Sequence, residues 1–143
     1  MKFGFDYHGV LDTRPALYGC LTTALVGAGH EVHIITGHQK TDALTDQLSY
    51  PKGCVGVKWT HWFSIVDHHL EQAKYKVSFE GDQPWLQDEA WNRTKAEYCD
   101  RVGIDLMIDD SPTYGSYFTG ETVFLLQKNQ EAQEAWMKLA GRT

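Results

Sequence analysis

Short apolar runs alternate along the chain with stretches in which apolar residues recur every three or four positions, and that alternation sets the expected fold. Residues 2–5 form an apolar run that stops at Asp6, with Gly9 in the turn-rich segment beyond, as a buried strand delivering a carboxylate at its end would. Over 15–28, Ala16, Leu17, Cys20, Leu21, Ala24 and Leu25 keep helical spacing, with Pro15 suited to the first turn and Gly29 to the stop. Residues 32–35 are β-branched except for His33 and run into Thr36-Gly37, so a second strand closes a βαβ unit whose strands should be parallel. Beyond it the pattern predicts a helix over 41–48, breaks at Pro51, Gly53 and Gly56, and a helix over 59–73. A strand over 76–80, a helix over 85–102 ended by Gly103, a strand over 104–108 running into Asp109-Asp110, a strand over 123–126 and a closing helix over 130–139 complete the series. Strands alternating with helices mean an α/β protein, a three-layer Rossmann-like fold with a mostly parallel sheet and no large cap domain.

The chain is 143 residues long, enough for one core, and is read as a single domain over 1–143 without internal repeats. With 13 Lys+Arg against 19 Asp+Glu the net charge is −6, and no basic cluster appears, which excludes a general nucleic-acid coat. No apolar run approaches the roughly 18 residues of a membrane span, and Asp6 interrupts the amino-terminal stretch where an export signal would still be apolar, so a cytoplasmic location is expected. Cys20, Cys54 and Cys99 form no CxxC pair and are read as three small, buried, reduced thiols.

The chemistry-bearing residues sit at strand ends. Asp6 follows the first strand, Thr36 the second, and Asp109-Asp110 the strand over 104–108; in a parallel α/β sheet such ends converge on one crevice. Two or three carboxylates there repel one another unless a cation joins them, and an all-oxygen set suits Mg²⁺. Lys95, on the helix before the last of these strands, adds positive charge at the rim and makes an anionic substrate plausible.

Asp6-Tyr7-His8-Gly9-Val10-Leu11-Asp12, Ile35-Thr36-Gly37, Lys95 and Ile108-Asp109-Asp110-Ser111-Pro112 resemble, in order, the four motifs of the haloacid dehalogenase superfamily. The last motif looks most like that of its small phosphatases and of the deoxyribonucleotidase-like branch. The resemblance implies a magnesium-dependent phosphohydrolase acting on a phosphomonoester, with Asp6 as the nucleophile that forms an aspartyl-phosphate. It implies metal ligation by Asp6, the main-chain carbonyl of His8, and Asp109 or Asp110. Thr36 and Gly37 would hold phosphoryl oxygens, Lys95 would neutralise another, and Arg14, just past the first strand, lies within reach of substrate.

The chain departs from that family at His8, where the phosphatases usually carry a second aspartate as acid and base. Histidine can serve both roles near neutrality; the alternative is a catalytically weak or inactive module that binds phosphate or a partner. No cap fits between Asp6 and Thr36, and about 15 residues beyond a minimal connection leave room for a small lid within about 50–75. An open crevice would accept a small phosphorylated substrate, possibly nucleotide-like, or a phosphorylated polymer end, or take its cover from a second copy in a homo-oligomer.

Other features have plainer readings. His61, Asp67, His68 and His69, with Trp59, Trp62 and Phe63, are read as half-buried helix packing; a second metal there would use His61 and His68, seven apart on one face. Thr13 and His38 are read as loop residues near the strand ends, Trp85 and Trp91 as core anchors on a helix, and Tyr114, Tyr117 and Phe118 as loop aromatics able to stack on a base.

Overall fold

The computed structural model describes residues 1–129, so the helix expected over 130–139 lies outside the described residues. Strands β1 (Lys2–Phe5), β2 (Glu31–Thr36), β3 (His61–Ser64), β6 (Leu106–Asp109) and β7 (Val123–Leu126) form one sheet in the order β3-β2-β1-β6-β7, and every neighbouring pair is parallel. The other two strands, β4 (Ser78–Glu80) and β5 (Gln83–Trp85), pair antiparallel as a separate hairpin. Helices α1 (Pro15–Gly27), α2 (Asp42–Ser49), α3 (Ile65–Gln72), α4 (Asp88–Val102) and the short α5 (Pro112–Gly115) connect them. Among the described residues no helix is long and apolar enough to cross a membrane.

The three layers follow from the two faces of β2. Val32 and Ile34 point to one side, where they pack with Phe5, Tyr18 of α1 and Leu48 of α2. Ile35 points to the other, where Phe63, Met107 and the α4 residues Tyr98 and Cys99 fill the second core. A strand buried on both faces is apolar at nearly every position, which is why 32–35 reads as an apolar run broken only by His33.

Four expectations are corrected. Residues 61–64, expected inside a helix over 59–73, form the edge strand β3, and the helix starts only at Ile65; Ser64 ends the strand and its side chain caps the helix by accepting from the Asp67 N–H at 3.1 Å. The stretch of about 50–75 set aside for a lid thus supplies β3 and α3, and the added element is the later β4–β5 hairpin. Trp85 is no core anchor on a helix: it ends β5, 53% exposed, and α4 begins at Asp88. Of the three free cysteines only Cys99 is buried, and burial pushes its thiol up to about 12; Cys20 is exposed.

Candidate active site

The sheet order reverses direction at β1, from which the chain runs outward to β2 and β3 on one side and later to β6 and β7 on the other. Ligand crevices of doubly wound sheets open at that switch, outside the carboxyl ends of the strands. Asp6 ends β1 and Asp109 ends β6, and the Asp6 N–H donates to the Ile108 carbonyl at 2.9 Å, tying the two strand ends together.

Lys95, only 1% exposed, reaches between them from α4. Its ammonium donates to Asp6 Oδ1 at 2.8 Å and to Asp109 Oδ2 at 2.7 Å, and lies 4.6 Å from the centre of the Tyr114 ring. The Tyr114 hydroxyl accepts from Trp91 Nε1 at 2.7 Å, so an aromatic expected to be free for base stacking is instead built into the floor of the site. Asp109 Oδ1 accepts from the Ser111 N–H at 2.9 Å. Asp110, beside them, is half-buried. A Cβ on Gly9 would lie 2.1 Å from its Oδ2, and Gly9 has φ +86°, so this turn needs glycine for its conformation and for the room it leaves the carboxylate.

Burial dominates the electrostatics. It opposes charge on Lys95, but the two carboxylates beside it outweigh burial and hold the ammonium well above its ordinary range. Each acid, in contrast, shares that one cation with the other acids. Burial raises Asp6 despite Lys95, raises Asp109 to about 6, and raises Asp110 with help from Asp109. Oxygens of Asp6, Asp109 and Asp110 lie within 4.8 Å of one another, and three carboxylates against one ammonium leave an excess of two negative charges. An all-oxygen set with that excess fits a hard divalent cation such as Mg²⁺.

The remaining candidates divide between floor, rim and exterior. β2 pairs Phe5 with Ile34, so the buried Thr36 falls two residues past that pair, on the strand beside Asp6, and its Oγ1 accepts from the His38 N–H at 3.4 Å. At Gly37 a Cβ would come within 2.6 Å of the Trp91 indole, which leaves room for no other residue. His8 stands at the rim: its Nδ1 is 3.4 Å from Asp12 Oδ2 and its ring meets that of His38 edge-on at 4.4 Å. Burial, with His8 and Lys95 nearby, pulls the His38 imidazole below its usual range. Arg14 precedes α1, exposed, and its guanidinium makes no hydrogen bond or ion pair among the described residues, so the fold does not draw it into the cluster. Two residues the sequence reading missed secure the turn: Gln127 Nε2 donates to the Gly9 carbonyl at 3.0 Å and Asn129 Nδ2 donates to the same oxygen.

Beside the rim a cleft of about 570 Å³ opens between the segment His38–Leu44 and the β4–β5 hairpin, with Phe79, 44% exposed, on its lip. No protein-family model matches the chain, and no curated protein matches it.

Proposed function

We propose that the protein is a magnesium-dependent phosphohydrolase of the haloacid dehalogenase type, acting on a phosphomonoester through an aspartyl-phosphate. The observation that carries this reading is Lys95 buried between Asp6 and Asp109, with the half-buried Asp110 beside them, at the switch point of a parallel sheet.

In this reading the Asp6 oxygen that Lys95 does not hold attacks phosphorus, the bond to the leaving oxygen breaks, and His8 as imidazolium gives that oxygen a proton. Water then attacks phosphorus, passes a proton to neutral His8 and releases phosphate, returning Asp6 as the carboxylate. Thr36 and nearby main-chain N–H groups hold phosphoryl oxygens, and Lys95 balances charge as Asp6 and the phosphoryl group meet. Asp6, Asp110 and the His8 main-chain carbonyl would hold Mg²⁺, whose charge would offset the repulsion between an anionic nucleophile and an anionic substrate. Asp109, with one oxygen on Lys95 and the other on the Ser111 N–H, positions that lysine. The cleft beside His38 and Phe79 has room for a leaving group of nucleoside size.

The test is turnover of p-nitrophenyl phosphate and a nucleotide panel with and without Mg²⁺, alongside Asp6→Asn. Removing a nucleophile costs roughly 10⁴- to 10⁶-fold, so activity should vanish from the variant while its circular dichroism stays native. Persistent turnover in clean Asp6→Asn protein overturns the covalent route. Phosphate binding without turnover in the wild-type chain supports the second reading, a phosphate-binding module, which the substitution of His8 for the usual acid favours.

A further inference from the structure

At the opposite, amino-terminal end of the sheet, β2 and β3 bring His33 and His61 level with each other, and Glu31 comes in from the same strand as His33. His33 is the polar break in the apolar run of β2. Its side chain is 2% exposed, and its Nε2 lies 2.8 Å from Glu31 Oε2. His61 Nδ1 lies 4.0 Å from the same Glu31 oxygen, and one donor atom from each of the three residues falls within a 4.8 Å cluster. Ligand atoms of a tetrahedral site with bonds of about 2.0 Å stand about 3.3 Å apart, and the separations of 2.8 and 4.0 Å bracket that value.

The geometry points to a second metal site, in which Glu31, His33 and His61 bind a borderline divalent cation of the Zn²⁺ class and fasten the edge strand β3 to β2. Two imidazoles and one carboxylate favour such an ion over Mg²⁺, which takes oxygen ligands. The position is independent of the phosphohydrolase reading, since none of its residues belongs to the strand-end cluster.

Three features suit His33 to this role. Its Nδ1 lies 2.8 Å from the Tyr98 hydroxyl, which can donate or accept and therefore fixes the ring while leaving Nε2 for the metal. Tyr98 is itself held, its ring stacked on Phe63 at 4.1 Å. Burial pulls the His33 imidazole below the usual range, which favours the neutral form a metal takes. His61 supplies the movable part. The two rings now lie stacked, 4.2 Å apart and 9° from parallel, so their lone pairs do not meet at one point. Closing the site takes a rotation of His61, whose side chain is 50% exposed and whose only short polar contact among the described residues is with Thr60 Oγ1 at 2.8 Å. Glu31 trades the Lys2 ammonium, 3.7 Å away, for the ion. Water would complete the coordination.

The test uses the full chain carrying Asp110→Asn, so that binding at the carboxylate cluster is weakened and does not mask this site. Zn²⁺ is titrated by calorimetry, Co²⁺ by its visible spectrum, and thermal unfolding is followed with and without Zn²⁺. One Zn²⁺ should bind, Co²⁺ should give the strong bands of a four-coordinate site, and the unfolding midpoint should rise. His61→Ala, at an exposed position, and Glu31→Gln, at a half-buried one, should each weaken Zn²⁺ by about 10²-fold or more and abolish the midpoint shift, since even outer partners of a metal ligand are worth 10- to 100-fold. Unchanged Zn²⁺ affinity in His61→Ala, or no Zn²⁺ binding by the parent protein, overturns the proposal. Loss of phosphatase activity elsewhere leaves these readouts untouched, so the two readings fail separately.

Discussion

The two ends of the parallel sheet carry their charges on opposite terms. At the carboxyl end, Lys95 and two acids are sealed from water and tied to one another by contacts under 3 Å. At the amino end, Glu31, Lys2 and His61 stand partly in solvent around a single buried imidazole. Burying an ion costs several kcal/mol, which mutual attraction offsets only when every partner is present. The carboxyl end is therefore intolerant of losing any one member. The amino end keeps most of its charge hydrated, so it can rearrange around an ion without first desolvating its ligands.

The sharpest way to break this contrast is Lys95→Met. It leaves Asp6 and Asp109 buried without a counter-charge and should cost about 3–5 kcal/mol of unfolding free energy, a large share of a typical domain's stability. Mg²⁺ should restore part of it; denaturant unfolding with and without the ion measures both effects. A loss below about 1 kcal/mol, the level of an exposed pair, would place the carboxyl end on the same terms as the other.

His8 comes next. His8→Ala should lower turnover by roughly 10²- to 10⁴-fold, the worth of a positioned acid or base. His8→Asp separates a site organised around the imidazole, which would lose activity, from a degraded enzyme, which would gain it. If neither substitution changes the rate and the pH profile stays flat from about 5 to 8, His8 has no part in proton transfer.

A smaller effect concerns pH. Asp109 titrates near 6 in the folded protein against 3.8 for a free carboxyl, because burial opposes its charge. The folded state therefore binds more protons than the unfolded one between about 4 and 6, and without metal this group adds stability as pH falls through that window. Mg²⁺ binds the ionised cluster, so the increment it adds to the unfolding midpoint should shrink from pH 7 to pH 5. His33, His38 and His69, held neutral by burial, lose stability over the same descent, which is why the Mg²⁺ increment is measured rather than the midpoint alone. An increment that is constant or grows toward pH 5 contradicts the assignment of the ion to these acids. The smallest effect is expected at the other end: in metal-free protein Glu31→Gln should leave the midpoint unchanged within error.

The residues that define the carboxyl end were legible because each closes a β-run, and a run that stops at a carboxylate or a Thr-Gly is visible in one dimension. Lys95 was expected at the rim and is buried, yet a physical signal for its burial was present: Trp91, Lys95, Tyr98 and Val102 follow one another at helical spacing on the face that packs inward. A lysine on an apolar stripe asks for a buried anion. β3 was hidden because strand and helix share Ser64 with no turn between them, so helical periodicity appeared to continue backward through Trp62. The β4–β5 hairpin had its marker in Gly81-Asp82, but only two residues separate Trp85 from the start of α4. The contacts of Gln127 and Asn129 with Gly9 join positions 118 and 120 apart, and no local pattern announces such a pair.

That separation also shapes how the molecule is made. Asp6 leaves the ribosome 89 residues before its partner Lys95, and the β6 strand follows later still. Until then β1 and β2 can pair, but the carboxylate at the end of β1 has no counter-charge and must stay hydrated, which keeps that end of the early βαβ unit from closing. Long-range parallel pairing is intrinsically slow, and here the final strand order, β6 inserting beside β1, coincides with the arrival of Lys95. A nascent chain halted before α4 should therefore remain open and vulnerable to proteases at the turn after Asp6, and protection there would report completion of the strand-end crevice and of the fold in a single event.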